Sequence, residues 1–384
     1  MSIEEIFLNL IRKSIKKDKS DLHSPYFDES EKKILIKCIE STYVSSVGRN
    51  VDIFETLISK FTRSKYAIAV VNGTSAIHLA LKALDITENN EVLVPSLTFV
   101  GTGNAIFYSN AIPHLIDCNN KDFGIDLIKL ENYLTENTII RNSKCINIKT
   151  KRHIKAILPV HLFGHPINME KLLNIADRYN LEVIEDAAEA LGSYYKKKHV
   201  GTFGRIGVLS FNGNKTITTG GGGMILTNDK KLAKKLKHLS TTAKLKHPWK
   251  SDHDVVGYNY RMPNINAALG IAQFKKIKKI LKNKKLLHEQ YKKNFLNIKF
   301  CKLLSEPVNS IRNFWLQTIY CHKLKNSDVE KILNFTNKNN IQTRLVWTPL
   351  HKLEPFKKCP KMNLKNTNIV CKKLINVPSN IIFQ

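Results

Sequence analysis

The feature that most constrains this chain is a regular alternation of short apolar runs with amphipathic helical patterns between residues 66 and 228. YAIAVVN (66–72) precedes SAIHLALKAL (75–84), EVLVPSLTF (91–99) precedes TGNAIFYS (102–109), and AIPHLID (111–117) precedes DLIKLENYL (126–134). IKAILPVHLFG (154–164) precedes MEKLLNIADRYN (169–180), and LEVIEDAA (181–188), IGVLSFN (206–212) and GMILTN (223–228) follow. Strands joined through helices pair in parallel, and a parallel sheet is covered on both faces. The alternation therefore predicts an α/β fold whose large domain is a mostly parallel α/β/α arrangement. From Asn264 the pattern changes to one lysine-rich helical stretch (264–296), a strand FWLQTIYC (314–321), a helix SDVEKILNFTNKN (327–339) and a strand-like TRLVWTPL (343–350). Three parts are expected: an N-terminal helical extension (1–23), a large domain (24–265), and a connecting helix with a small α/β C-terminal domain (266–384).

Charge and composition narrow the functions. The net charge is +29, but its lysines are spread along helical segments such as KKLAKKLKH (230–238) and KKIKKILKNKK (275–285) without interleaved aromatics. That pattern reads as a solvated face rather than a nucleic-acid footprint, although a positive field favours small anionic substrates. No apolar run reaches the roughly 18 residues of a membrane span, and the N-terminus lacks a small-residue cleavage site. A cytoplasmic protein without membrane or nucleic-acid partners is expected. The seven cysteines stand singly, with no C-x-x-C pair and no histidine at ligand spacing, so neither a disulfide frame nor a metal site is expected.

Ligands of open parallel sheets gather beyond the carboxyl ends of the strands. Gly73-Thr74-Ser75 opens a helix after the first run, where free N–H groups and hydroxyls suit a phosphate. Phe99 follows the second run and has a face on which a planar ring can stack. Asp186 and Glu189 follow the apolar EVI, where a buried acid demands a cation or a strong donor. SFNGNKTITTGGGGM (210–224) sets Lys215 in a polar turn before the glycines 220–223. Each feature also has a plain reading: Thr74 or Ser75 as a helix cap, Phe99 as a core aromatic, the glycines as a loop. Together they match the needs of pyridoxal 5'-phosphate. Lys215 provides the amine for its aldehyde, Asp186 the carboxylate for its ring nitrogen, Phe99 the wall, and Thr74, Ser75 and Ser210 the phosphate donors.

The strings VNGTSAIHLAL, VPSLTFVGTGNAI, PVHLFGHP, IEDAAEALGS, GTFGRIGVLSFNGNKTITTGGGGMI and GYNYRMPNINAALG resemble the DegT/DnrJ/StrS family of nucleotide-sugar aminotransferases, from about Ser24 to Lys352. The resemblance implies the fold-type I aminotransferase architecture. It implies that Lys215 forms the Schiff base and moves the proton, that Asp186 pairs with the pyridine nitrogen, and that Glu189 lies near the ring hydroxyl. It further implies that Asn259 of GYNYR reaches the phosphate in the neighbouring subunit, hence a homodimer with shared sites. The expected reaction moves an amino group from L-glutamate to C4 of a nucleotide-linked 4-keto-6-deoxy sugar for surface-glycan or nonulosonic acid synthesis. TYVSSVGRNVDIFE (42–55) and IQTRLVWTPLHKL (341–353) resemble the legionaminic acid and bacillosamine branch, which uses a UDP-linked 4-keto-6-deoxy-N-acetylhexosamine. A GDP-perosamine synthase is the alternative within the family.

For the substrate, Arg261 and His351 are candidates to meet the diphosphate and His161 to face the sugar, each histidine being equally readable as a satisfied loop residue. Lys197 stands where many relatives have glycine, implying a changed hairpin turn, and relatives commonly continue for one more helix after NVPSNIIFQ. If the gene product ends there, the small domain loses packing surface. Related sugar dehydratases carry histidine in place of the lysine, and a non-catalytic regulatory or binding homologue would lack Lys215 or Asp186. A desulphurase would need a reactive loop cysteine. The residues present favour the transaminase over all three.

Overall fold

The computed structural model describes residues 1–381. The expected loss of a helix after Gln384 concerns a segment outside the described residues. The helices are α1 Ile3–Ile15, α2 Glu29–Glu40, α3 Arg49–Thr62, α4 Gly73–Ala83, α5 Val100–Tyr108, α6 Leu127–Asn137, α7 Met169–Arg178, α8 Lys230–Ser240, α9 Asn264–Lys275, α10 Ile277–Phe295, α11 Asn326–Lys338 and α12 Lys365–Val370. The strands are β1 Tyr66–Val70, β2 Asn90–Pro95, β3 Ile112–Ile116, β4 Thr138–Arg141, β5 Lys144–Asn147, β6 His153–Ile157, β7 Glu182–Asp186, β8 Tyr194–Tyr195, β9 Lys198–His199, β10 Ile206–Ser210, β11 Gly223–Thr227, β12 Lys302–Leu303, β13 Ser310–Ile311, β14 Gln317–Tyr320, β15 Arg344–Leu345 and β16 Leu374–Val377.

A nine-stranded sheet runs in the order β1-β11-β10-β7-β6-β2-β3, with β4 and β5 attached beside β6. Strands β10, β7, β6, β2 and β3 pair in parallel, as the alternation predicts. Strand β11 runs antiparallel to both of its neighbours, β1 and β10. The parallel strands are almost continuously buried, which is why they read as apolar runs rather than alternating ones. Phe54 of α3 packs edge-on to Phe211 with centroids 5.0 Å apart, within one core that also holds Leu79, Val94, Ile184 and Val208.

Gly207 in β10 has no room for a side chain, since a Cβ there would lie 1.9 Å from the Gly201 carbonyl oxygen. Backbone cannot yield as a flexible side chain does, so Gly207→Ala is expected to cost about 3 kcal/mol or more of stability. Urea denaturation of the two proteins checks this.

A four-stranded antiparallel sheet, β12-β14-β16-β15, forms a second layer. Helix α1 starts at a capping box between Ser2 and Glu5, and its buried stripe of Phe7, Leu8, Ile11 and Ile15 has helical spacing. That stripe joins Tyr291 and Phe295 of α10, Ile332 of α11 and Ile375 of β16 in a second hydrophobic cluster. Segment 1–23 thus packs on the elements of segment 266–384.

Three local expectations are corrected. The single helical stretch over 264–296 divides into α9 and α10 around Lys276, which has a φ of −96° and a ψ of 0° at the junction. FWLQTIYC pairs only over Gln317–Tyr320, Phe314 having a left-handed φ of 54°. TRLVWTPL pairs only over Arg344–Leu345, and Pro349, which has no N–H to donate, leads into a short 3-10 turn. Lys197 does sit in a two-residue hairpin turn between β8 and β9, where Lys196 and Lys197 have φ of 45° and 65°.

All seven cysteines are free and buried. Among the described residues no helix is long and apolar enough to cross a membrane, and no group of three or more His, Cys, Asp or Glu is placed to hold a metal ion.

Candidate active site

Successive strand residues point to opposite faces, and the pair closing β7 shows the effect. Glu185 turns inward and accepts from the N–H groups of Gly201, Phe203 and Gly204 at 2.7, 2.6 and 2.7 Å, and it pairs with His161 Nε2 at 3.0 Å. Burial opposes its charge, yet His161 and those donors hold its carboxyl below the ordinary range. Asp186 turns the other way, towards a cavity of about 310 Å³. Among the described residues, the Thr102 hydroxyl, 2.8 Å from Oδ2, and the Ala188 N–H, 3.0 Å from Oδ1, donate to it. Burial therefore raises its pKa, and a cationic N–H would relieve the cost.

The same cavity contains an anion cradle. Asn72, Gly73 and Thr74 at the start of α4 line it together with Ser210 at the end of β10. The cap of α4 is Asn72, whose Oδ1 accepts from the Ser75 N–H at 2.7 Å, so neither Thr74 nor Ser75 is the cap. A Cβ on Gly223 would lie 2.5 Å from the Asn72 carbonyl oxygen. The last of the four glycines therefore lets β11 pass directly beneath the cradle, a close approach that any side chain would block.

Lys215 sits on the loop between β10 and β11, its N–H donating to the Asn212 carbonyl at 2.9 Å. Its Nζ lies 3.4 Å from Glu189 Oε1 and 4.0 Å from the centroid of the Trp315 ring. Glu189 is buried and also accepts from the Phe163 N–H at 2.8 Å. Burial pushes its pKa up, and the neighbouring ammonium only partly offsets this.

Of the residues singled out from the sequence, Lys215, Asp186, Glu189, Phe99, Thr74 and Ser210 line this one cavity. Ser75, Asn259, Arg261, His161 and His351 do not. His161 is fully buried; Nε2 is engaged by Glu185, and Nδ1 accepts from the Ile167 N–H at 3.3 Å. It therefore does not face a substrate, and the expectation that it meets the sugar is corrected. His351 spends Nδ1 on Ser96 Oγ at 2.7 Å and Nε2 on Asn368 Oδ1 at 3.0 Å. Arg261 Nε donates to Asn259 Oδ1 at 3.1 Å outside the cavity.

Sequence reasoning did not anticipate Thr102, Trp315, Arg344 and Trp347 as lining residues. Thr102 stands in the first turn of α5, and its Oγ1 lies 3.1 Å from that of Thr98, just before the helix. The other three come from the second layer, and nothing local announces that they meet Lys215.

The donor set fits pyridoxal 5'-phosphate. A cradle of small and hydroxyl residues suits a phosphate, an undersupplied buried aspartate suits a ring N–H, and an amine and a half-exposed Phe99 line the same cavity. Comparison with known proteins agrees. The model of the DegT/DnrJ/EryC1/StrS aminotransferase family matches residues 25–382. A GDP-perosamine synthase of Escherichia coli O157:H7 is 38% identical, over 87% of this chain and 86% of its own. A UDP-4-amino-4,6-dideoxy-N-acetyl-beta-L-altrosamine transaminase of Campylobacter jejuni is 32% identical, over 91% and 90%. Among solved structures, Helicobacter pylori PseC, an aminotransferase of pseudoaminic acid biosynthesis, superposes with a TM-score of 0.84 at 25% identity, over 94% of this chain and 93% of its own.

Proposed function

Because this chain belongs to the DegT/DnrJ/EryC1/StrS aminotransferase family and is a pyridoxal phosphate-dependent enzyme of it, we propose that it aminates C4 of a nucleotide-linked 4-keto-6-deoxy sugar with L-glutamate as donor. The observation that carries this is the convergence of Lys215, Asp186 and the Asn72–Thr74 cradle on one cavity. When bound, pyridoxal phosphate supplies an electron sink for the charge that develops at the reacting carbon. Asp186 holds the proton on the ring nitrogen and is itself held by Thr102 and Ala188. The α4 N-terminus with Thr74 and Ser210 binds the phosphate, where the helix dipole adds to the hydroxyl donors. The amine of Lys215 takes the proton from the donor's α-carbon and, in the second half of the cycle, returns one to C4 of the sugar. Glu189 holds that ammonium in place, and Trp315 gives it an apolar, electron-rich floor.

A GDP-linked sugar is the first candidate acceptor, because the 38% identical relative is a GDP-perosamine synthase. A UDP-linked N-acetylhexosamine is the second reading, favoured by the 32% identical transaminase and by the two stretches singled out in the sequence. Asn259 and Arg261, which do not line the cavity of their own chain, serve the site of a second copy in a homodimer on this reading. The setting is the cytoplasm, with every thiol buried and reduced.

The test is spectroscopic. Purified holoenzyme is expected to lose its visible absorption on addition of L-glutamate and to regain it with a GDP- or UDP-linked 4-keto-6-deoxy sugar. Indifference to both sugars would overturn the assigned acceptor class.

A further inference from the structure

Lys284 of α10 has no task in the reaction, yet it is only 1% exposed. Its Nζ meets three polar atoms from three separate segments: His23 Nε2 at 2.6 Å, the Ser379 carbonyl at 2.7 Å and the Trp315 carbonyl at 3.0 Å. No carboxylate pairs with it among the described residues. A buried amine without an acid is costly to charge, so this one is held by hydrogen bonds alone. Burial keeps its pKa well below the lysine range. His23 is likewise kept well below the histidine range, by burial and then by the charge of Lys284.

The pair reaches Lys215 along two short paths. Trp315, whose carbonyl meets Lys284, donates its indole Nε1–H to the Asn214 carbonyl at 2.6 Å, and its ring centroid lies 4.0 Å from Lys215 Nζ. Nδ1 of His23 is buried and completes no hydrogen bond among the described residues, while the same Asn214 carbonyl favours a hydrogen on the ring. Asn214 immediately precedes Lys215 in the chain. The other charge that acts on His23 is that of Lys215 itself, and Trp315 and Ser379 bring only carbonyls to the pair.

Counting hydrogens gives the pair two arrangements. With one extra proton, Lys284 directs three N–H groups at the two carbonyls and at His23 Nε2, which leaves the ring hydrogen on Nδ1. Once that proton is lost to solvent, the neutral amine gives its two hydrogens to the carbonyls and its lone pair accepts from Nε2–H, which leaves Nδ1 bare. Only the first arrangement presents a donor to the Asn214 carbonyl. We propose that Lys284 and His23 are positioning residues for Lys215, and that the proton they share sets whether His23 Nδ1 holds the Lys215 loop through Asn214. This rests on the reading of Lys215 as the reacting amine.

The test compares wild type with His23→Phe and Lys284→Met between about pH 6 and about pH 10. Two rates are followed by absorption: uptake of pyridoxal phosphate by the cofactor-free protein, and bleaching of the holoenzyme by L-glutamate. The wild-type profiles are expected to contain an ionisation that both variants lack. His23→Phe keeps a ring but has no Nδ1 donor at any pH. It should run about 5- to 10-fold below wild type on the acid side of that ionisation, the scale of one hydrogen bond, and meet wild type on the alkaline side. Lys284→Met should lose the same ionisation, and it decides the matter if His23→Phe melts early. An ionisation that is absent from wild type, or that survives in either variant, overturns the proposal. So does a His23→Phe profile lowered equally at every pH, the mark of a merely structural side chain. The transaminase reading stands in all of these cases. A wild-type protein that takes up no pyridoxal phosphate overturns the reading of Lys215 and the proposal with it.

Discussion

Lys215→Ala is expected to reduce turnover by at least about 10,000-fold, because on the proposed reading one amine both anchors the cofactor and moves the proton between the substrate carbon and the cofactor in each half-reaction. The loss should be chemical rather than structural. Lys215 is on a loop, and its Nζ makes one 3.4 Å contact with Glu189 and rests 4.0 Å from the Trp315 ring. The variant should therefore melt within a few degrees of wild type while its visible spectrum no longer responds to L-glutamate. Single-turnover absorption measurements on the two proteins check this. A variant with wild-type turnover would remove Lys215 from the chemistry.

Asp186→Asn is expected to lower kcat by about 100- to 1000-fold, the range for removing one preorganised electrostatic partner. An amide can still accept from the Ala188 N–H and interact with the Thr102 hydroxyl, so the cavity keeps its shape while the ring nitrogen loses its counter-charge. The same residue gives a pH signature in the cofactor-free protein. Burial raises the Asp186 pKa in the folded state, so the native protein holds this proton more tightly than the unfolded chain does. The resulting stability is present below the ordinary aspartate range and is lost as pH rises through the raised value. Cofactor-free Asp186→Asn should thus gain stability relative to wild type between about pH 4 and about pH 8. Paired chemical denaturation at the two pH values measures the difference, and a gap that shrinks with pH would contradict the assignment.

The sequence made the main sheet legible because parallel strands covered on both faces are buried almost end to end, and β2, β7 and β10 are, each around a short apolar run. The reversed direction of β11 was not legible: a short apolar strand has the same composition whichever way it runs. Asp186 could be found because an acid ending a buried strand is expensive, an argument that needs no knowledge of its neighbours. His161 misled for a related reason, since lying beyond a strand end says nothing about which way a side chain turns, and this one turns towards Glu185. The cap was not legible, because Asn72, Thr74 and Ser75 are all plausible helix starters, and only the backbone geometry selects Asn72. Trp315, Arg344 and Trp347 stayed hidden because their approach to Lys215 is set by the packing of the second layer, which no spacing within 314–350 encodes.

The reversed β11 has a further consequence for Lys215. A lysine placed between two parallel strands would ride on a long crossover, whereas here the chain leaves β10 and returns to the same edge of the sheet. The two roots of the loop are already bonded, Phe211 N–H to the Gly222 carbonyl at 2.8 Å and Thr219 N–H to the Phe211 carbonyl at 2.9 Å. The entropy of closing the loop is thus spent when the sheet forms, not when ligand arrives. The indole Nε1–H of Trp315, donating to the Asn214 carbonyl at 2.6 Å, adds a third tether near the tip. The amine is thereby presented as a fixed fixture of the sheet, and any adaptation to differently shaped sugars falls to the side chains that surround it.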